Sequence, residues 1–332
     1  MPIIRCAITG AGYISTIHAE AVKSLPEVEL VAVVDKYPDK AGEFAKKYKI
    51  NQYFETIDQL LSRGGVDALI VGTPNYLHFP QTVTALQAGI HVMVEKPMAM
   101  NAQEAYQMLE TSRKSGALLM VAHCWRFDPE VLWLRKQAQL GHLGRIIRTR
   151  GYGVHELWGP SGWFTQREFA GGGAMADVGI HAIDTARFLL GDPLPLSVYA
   201  HIGTYYTNYD VDDTGVLLIS WSGGAISYVE SGWWQPHTDA PEAATQLYGT
   251  TGFGQVYPTY IRNQSGIQDP GFVFPRKNHA PQSLYNAQLT YFIHCILDHQ
   301  TPCPGALEGW INMKIVDAAY QSSQTGKVIT VE

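Results

Sequence analysis

Up to Ala122 the chain alternates short apolar runs with longer stretches whose apolar positions recur every three or four residues. The runs Ile3–Thr9, Leu30–Val34, Ala68–Gly72, His91–Val94 and Leu118–Ala122 predict strands. Between them, Ile14–Ser24, Asp39–Tyr48, Phe79–Ala88 and Asn101–Lys114 predict helices, with Gly64-Gly65, Gly89 and Gly116 where helix ends are expected. Short apolar strands separated by helices imply a parallel sheet covered on both faces.

Beyond Ala122 the pattern changes. A helix at Pro129–Gln139 is followed by long strand candidates at Arg145–His155, Ser197–Tyr206, Thr214–Trp221, Ala225–Trp233, Thr245–Tyr248 and Gly254–Tyr257. Trp221-Ser-Gly-Gly-Ala225 reads as a hairpin turn between two of them. Helices near Ser283–His299 and Leu307–Ser322 close the chain. The expected architecture is an α/β Rossmann domain over residues 1–122. An α+β domain with a large, mostly antiparallel sheet follows over residues 123–332. No internal repeat or low-complexity segment is visible.

Composition narrows the partners. Of 332 residues 46% are hydrophobic and 16% charged, enough for two buried cores, and the net charge of −6 is spread without a basic run. Nucleic acid and anionic membrane are therefore poor partners. The opening MPIIRCAITG reads as a strand entering a glycine turn, without the features of a signal peptide. No apolar run approaches the roughly 18–20 residues of a membrane span. Cys6, Cys124, Cys295 and Cys303 are scattered, as reduced thiols of a cytoplasmic protein would be.

The first turn, Gly10-Ala11-Gly12-Tyr13-Ile14-Ser15, follows a strand and opens a helix. Gly10 permits a tight turn, Gly12 lets the backbone approach a pyrophosphate, and the helix start offers free N–H groups and a positive dipole end. Tyr13 and Ile14 lie at that helix start and belong to the same cofactor site. Ser15, where a third glycine is usual, is small enough for close helix–strand contact. This context predicts dinucleotide binding, against a generic glycine turn. Asp35 ends the second strand, where an acid accepts hydrogen bonds from the adenosine ribose hydroxyls and repels a 2′-phosphate. NAD is preferred on that ground, with NADP possible because Lys36 follows. Thr73-Pro74-Asn75 lies at the carboxyl edge of the sheet, where Asn75 can offer an amide to cofactor or substrate or merely cap a helix. His78 reads as a helix-start residue.

Glu95-Lys96-Pro97 follows a buried strand at the same edge. Lys96 beside a nicotinamide can polarise or protonate a substrate oxygen, and Pro97 makes the turn rigid, with a cis bond allowed. The alternative is a surface Glu-Lys pair. Further on, Gly171-Gly172-Gly173 precedes a helix expected over Ala174–Leu190, apolar nearly all round and hence buried. Yet Asp177, His181 and Asp184 fall on one stripe of it. Such a stripe faces a cleft or a satisfied network. Asp177 can fix the His181 tautomer, and His181 can take a hydroxyl proton as hydride leaves for nicotinamide. A purely structural Asp–His pair is the competing reading. No third ligand sits at a recognisable spacing, so no metal is expected.

GAGYIS, Asp35, Thr73-Pro74-Asn75, Glu95-Lys96-Pro97 and the GGGxxxDxGxH run ending at His181, with Asp184 beyond, occur in the order of one family. The chain resembles the glucose–fructose oxidoreductase / inositol dehydrogenase / MocA family over almost its whole length. Arg126-Phe127 and Tyr248-Gly249-Thr250 are part of that resemblance. It implies a Rossmann domain followed by an α/β domain built on an open-faced sheet, and NAD(P)-linked oxidation or reduction of a secondary alcohol or carbonyl on sugars, inositols and related polyols. It places the catalytic roles on Lys96, Asp177 and His181, and the cofactor contacts on the glycine turn, Asp35, Thr73, Asn75 and Glu95-Lys96. It also implies dimers or tetramers paired through the open sheet face. Substrate-side candidates are Arg126, Tyr152, His155, Trp163 and Phe164, since aromatics stack on sugar faces; aromatic core is the alternative for each. Two rival functions share this scaffold: a dinucleotide-binding sensor or regulator without chemistry, and an NAD-dependent glycosidase that releases no free NADH.

Overall fold

Strand β1 (Ile4–Thr9) is followed by α1 (Tyr13–Lys23), β2 (Val28–Val34), α2 (Pro38–Tyr48), β3 (Gln52–Phe54), α3 (Ile57–Arg63), β4 (Ala68–Val71), α4 (His78–Gln87), β5 (His91–Val94), α5 (Ala102–Ser115) and β6 (Leu119–Val121). The structure is a computed structural model and describes residues 3–238, 241–275 and 280–331. The chain divides into two compact units, Met1–Cys124 with Ala280–Trp310, and Trp125–His279 with Ile311–Glu332.

In the first unit six parallel strands run in the order β3-β2-β1-β4-β5-β6. Strands β4 and β5 are buried at nearly every position, as double coverage by helices requires. The order reverses beside β1, and in an open α/β sheet the crevice at that reversal, outside the carboxyl ends of the strands, holds the ligand. The turns after β1, β2, β4 and β5 all end on that edge, which brings the sequence motifs of this unit to one rim.

The short β3 and α3 were not anticipated. Helix α3 begins with a capping box: Thr56 accepts from the Gln59 N–H, and the Gln59 side chain accepts from the Thr56 N–H. Residues 280–310 also return to this unit. Helix α9 (Gln282–Leu297) packs on α1, where Gln282 Nε2 donates to the Ile17 carbonyl at 2.9 Å.

In the second unit α6 (Pro129–Gln139), β7 (Ile146–Glu156), the short α7 (Arg167–Ala170) and α8 (Ile180–Leu189) are followed by seven strands. These are β8 (Pro195–Gly203), β9 (Thr214–Trp221), β10 (Ile226–Gln235), β11 (Ala243–Gly249), β12 (Gly252–Val256), β13 (Tyr260–Asn263) and β14 (Gly266–Gln268). Helix α10 (Ala306–Thr325) and β15 (Ile329–Thr330) end the chain. The nine-stranded sheet has the order β14-β13-β12-β11-β7-β10-β9-β8-β15; β7 and β10 are parallel and every other pair is antiparallel. Helices α6 and α8 cover one face, burying Val131, Leu134, Phe188 and Leu189 with Leu247 and Ile261. On the opposite face Tyr199, Leu218, Tyr228, Arg150 and Gln246 stand directly across from one another on successive strands. Tyr199, Leu218 and Ile226 are exposed there.

The helix expected over Ala174–Leu190 is not a uniform α-helix. It starts as a π-helical turn, Met175–Gly179, and becomes α8 at Ile180. The wider turn breaks the 3.6-residue period on which the Asp177–His181–Asp184 stripe was counted. It alters the step from Asp177 to His181, both partly accessible; Asp184, three residues further along the regular α8, lies in the core with its partners.

Candidate active site

The glycine turn is closed by a backbone approach that leaves no room for a side chain. Gly10 has φ +86°, and a Cβ there would meet the Gly72 carbonyl oxygen at 2.7 Å. A Cβ on Gly72 would lie 2.8 Å from Ser15 Oγ and 3.2 Å from Ile14 Cγ2, so Ser15 fills the helix–strand contact that a third glycine usually makes. Gly12 is the N-cap of α1 and supplies no side-chain cap, so the first N–H groups of the helix point outward unpaired by a cap. A Cβ on Gly12 would meet nothing within 4 Å, leaving open space above the helix start, with Tyr13 exposed beside it. These residues fit a pyrophosphate held by backbone N–H groups and the helix dipole.

Asp35 sits against this turn. Its Oδ2 accepts from the Ala11 N–H at 2.8 Å and its Oδ1 from the Tyr37 N–H at 2.9 Å. Each oxygen keeps a second lone pair for a ribose hydroxyl. Thr9 and Thr73 both donate to Gln81 Oε1, at 2.8 and 3.1 Å, which ties the ends of β1 and β4 together through α4. Asn75 is buried in the short 3₁₀ turn that precedes α4.

Lys96 follows β5 and precedes a cis Lys96–Pro97 bond. Its neighbour Glu95 is buried, with Oε1 accepting from His18 Nε2 at 2.7 Å and Oε2 accepting from the Lys96 N–H at 3.2 Å. Burial pushes the Glu95 carboxyl up, but the His18 hydrogen bond and the charges of His18, Lys96 and His78 together hold it below its ordinary value. His78 contacts two carbonyls, Pro97 O from Nδ1 and Thr73 O from Nε2, both at 2.8 Å. Burial above all keeps its pKa below the ordinary histidine value. Sequence reading passed over His18; His78 does begin α4, as read from the sequence, and what that reading missed is its buried ring between two carbonyls. The available signal was two histidines on the inward faces of α1 and α4, each needing a buried partner.

In the second unit Asp177 Oδ2 accepts from Trp233 Nε1 at 3.3 Å. The His181 ring, in the first turn of α8, stacks on Trp125 with centroids 4.9 Å apart and planes at 23°. Asp212 pins the start of this helix. Its Oδ1 accepts from the Gly173 N–H at 2.8 Å and Tyr320 hydroxyl at 2.7 Å, and its Oδ2 from the Met175 N–H at 2.8 Å. A Cβ on Gly173 would fall inside the Asp212 backbone, which explains the glycine run. Burial pushes the Asp212 carboxyl up, and the N–H and O–H donors around it oppose that shift.

Two of the expected assignments change. Asp184 does not share a stripe with Asp177 and His181: it accepts from Arg126 Nε and Nη2, both at 2.8 Å, and from Asn312 Nδ2 at 2.8 Å. Arg126, a substrate-side candidate, is therefore a core cation whose guanidinium also meets Asp192 at 2.8 Å. A side chain 1% exposed and paired with two carboxylates ties core elements together and has little surface to offer a sugar. The other candidates are aromatic or imidazole surfaces. Tyr152 is buried with Val154 and Ala244, His155 stacks on Trp158 at 3.5 Å, and the partly exposed Trp163 and Phe164 stack on each other at 3.8 Å.

Residues 4–123 match the family described as "Oxidoreductase family, NAD-binding Rossmann fold", and residues 131–253 match the GFO/IDH/MocA C-terminal domain. The chain is 30% identical to D-glucoside 3-dehydrogenase of Escherichia coli strain K12, over 97% of this chain and 96% of that protein. It is 26% identical to scyllo-inositol 2-dehydrogenase (NAD(+)) of Bacillus subtilis strain 168, over 99% and 96%. Among solved structures it is similar to aldose-aldose oxidoreductase from Caulobacter crescentus complexed with glycerol, at 27% identity, TM-score 0.85 and 99% coverage of both chains. With both domain matches in chain order and a relative matched end to end, the chain belongs to the GFO/IDH/MocA oxidoreductase family and carries its NAD-binding Rossmann domain.

Proposed function

We propose that this enzyme oxidises a secondary hydroxyl of a glycoside, inositol or related cyclic polyol, and that it uses NAD rather than NADP. The carrying observation is Lys96, set on the rim shared with the glycine turn by the buried Glu95 carboxylate. The D-glucoside and inositol dehydrogenases among its relatives supply the substrate class.

Gly10, Gly12, Tyr13, Ile14, Asp35, Thr73, Asn75, Glu95 and Lys96 would hold the dinucleotide. NAD, when bound, accepts the hydride released from the carbinol carbon. Lys96 steadies the substrate oxygen and stabilises the charge that develops on it. His181, oriented by Asp177, takes the hydroxyl proton as general base. The reaction thus removes one hydride and one proton and leaves a ketone. Asp35 opposes a 2′-phosphate by charge and supports the NAD preference. Tyr152, His155, Trp163 and Phe164 offer surfaces for a sugar ring.

Tyr199, Leu218 and Ile226, exposed on the open sheet face, support pairing of two copies through that face, as a homodimer or within a homotetramer. A cytoplasmic setting agrees with four cysteines that form no disulfide with one another. The test is NADH absorbance on a panel of inositols, methyl glucosides and sugar acids with NAD or NADP, beside Lys96→Ala and His181→Ala. Turnover with NAD that either substitution abolishes is the expected result. NAD binding without turnover on any substrate would favour the regulator or the glycosidase, and undiminished activity in Lys96→Ala would refute the assigned chemistry.

A further inference from the structure

The Glu95–Lys96–Pro97 turn is gripped at both shoulders by a buried histidine. Neither ring belongs to the dinucleotide fingerprint or to the proton path. His18, on α1, is fully enclosed; Nε2 donates to Glu95, and Tyr285 of α9 meets its ring edge-on with centroids 5.9 Å apart. The other Glu95 oxygen accepts the Lys96 N–H. One chain of contacts therefore runs from α1 through His18 and Glu95 to the Lys96 backbone. On the far side, His78 stands between the carbonyls of Pro97 and Thr73, 2.8 Å from each. A second chain thus runs from the Lys96 turn through His78 to the turn that carries Asn75.

We propose that His18 and His78 are positioning residues for Lys96. His18 fixes the backbone of the Lys96 turn through Glu95, and His78 fixes the spacing between that turn and Thr73–Pro74–Asn75. A lysine amine rides on a long flexible stem, so its place depends on how firmly its backbone is anchored. Carbonyl oxygens only accept and a neutral imidazole carries one N–H, so His78 donates to one of the two carbonyls and packs its other nitrogen against the second, holding the two turns one ring apart. Phenylalanine keeps the volume and loses the donor, while glutamine keeps an N–H donor on a more flexible stem without the ring. A reacting group displaced by about 1 Å can lose a hundredfold in rate, so a fall in kcat of tenfold or more follows from loosening the turn.

The inference rests on Lys96 as the acting amine, and the test separates the two ideas. Hydrogen–deuterium exchange is measured on the intact protein saturated with NAD, for His18→Phe, His78→Phe and His78→Gln. His78→Phe should raise exchange at least tenfold in peptides covering 73–78 and 94–98. His18→Phe should do so in 94–98 alone, and His78→Gln should fall between parent and His78→Phe. Peptides from β1 and β4 should match the parent in all three. Unchanged exchange in both turns, or an even rise across the whole unit, would overturn the proposal. On any substrate the parent oxidises, KM for NAD should stay within twofold while kcat falls tenfold or more, a split that general loss of folded protein does not produce. Lys96→Ala, run alongside, keeps parent-like exchange; retained activity there would defeat the catalytic reading, whatever the exchange shows.

Discussion

Replacing Asp184 by alanine separates a structural carboxylate from a catalytic one. Asp184 and Arg126 make two hydrogen bonds of 2.8 Å with side chains 2% and 1% exposed, and Asn312 adds a third contact. Removing one member of a buried ion pair costs about 3–5 kcal/mol, because the other charge stays behind in the core. Here Asp192 still meets Arg126 at 2.8 Å from a partly accessible position, which puts the expected loss near the lower bound, about 3 kcal/mol. At about 2–4 °C per kcal/mol for a unit of this size, the thermal midpoint should fall by roughly 6–12 °C. Circular dichroism on heating, with urea midpoints as a second reading, measures it. The double variant Arg126→Met, Asp184→Leu removes both charges and should recover most of the loss. Below its midpoint Asp184→Ala should keep kcat within about threefold of the parent. A midpoint within 2 °C of the parent together with lost turnover would refute this reasoning and return Asp184 to the reacting stripe.

Three further outcomes follow from the cofactor rim. Gly72→Ala should weaken NAD binding through overpacking of about 1–3 kcal/mol against Ser15, and Ser15→Gly in the same chain should restore it; calorimetric titration decides, and an unrescued loss would dismiss the contact as the cause. Asp35→Ala removes the acceptor that holds the Ala11 N–H and the charge that opposes a 2′-phosphate, so NAD affinity should fall about tenfold or more and the NADP-to-NAD ratio should rise; an unchanged ratio would contradict the role given to Asp35. The Glu95 carboxyl lies below its ordinary pKa, so its contribution to stability is full above the ordinary glutamate value and is lost as pH falls through the lower, folded value. The urea midpoints of the parent and Glu95→Gln should therefore converge on acidification, and a gap that stays constant with pH would show that the shift is absent.

The parallel sheet was legible because each buried strand is a dense apolar run: His91–Val94 has the same bounds in sequence and structure, as do Pro129–Gln139 and Thr214–Trp221. Short elements were lost. β3 has three residues and α3 seven, too few for a period to show, although the Thr56–Gln59 capping box was there to be read. The strands β13, β14 and β15 lie at the ends of the second sheet, where little burial writes an alternation into the sequence. Lys96, Asp177 and His181 were visible as polar residues in apolar surroundings. Asp184 was misplaced because its partners Arg126 and Asn312 lie 58 and 128 positions away, so nothing local marks that end of the stripe as core. Arg126 was misread because its carboxylate partners are 58 and 66 positions away, and nothing local marks an arginine as buried.

Helix α9 lies on α1 although some 260 residues separate Gln282 from Ile17 in the chain. On the ribosome, all six strands of the nucleotide-binding unit emerge long before the helix that covers α1 has been made. At about 5–20 residues per second, that side of α1 waits roughly 13–52 s for its cover. During that interval α1 lacks its α9 cover around Ile17, and His18 lacks the ring of Tyr285. Nascent chains halted before α9 should therefore be the species most in need of a chaperone, and the Lys96 turn reaches its final form only after α9 has been made.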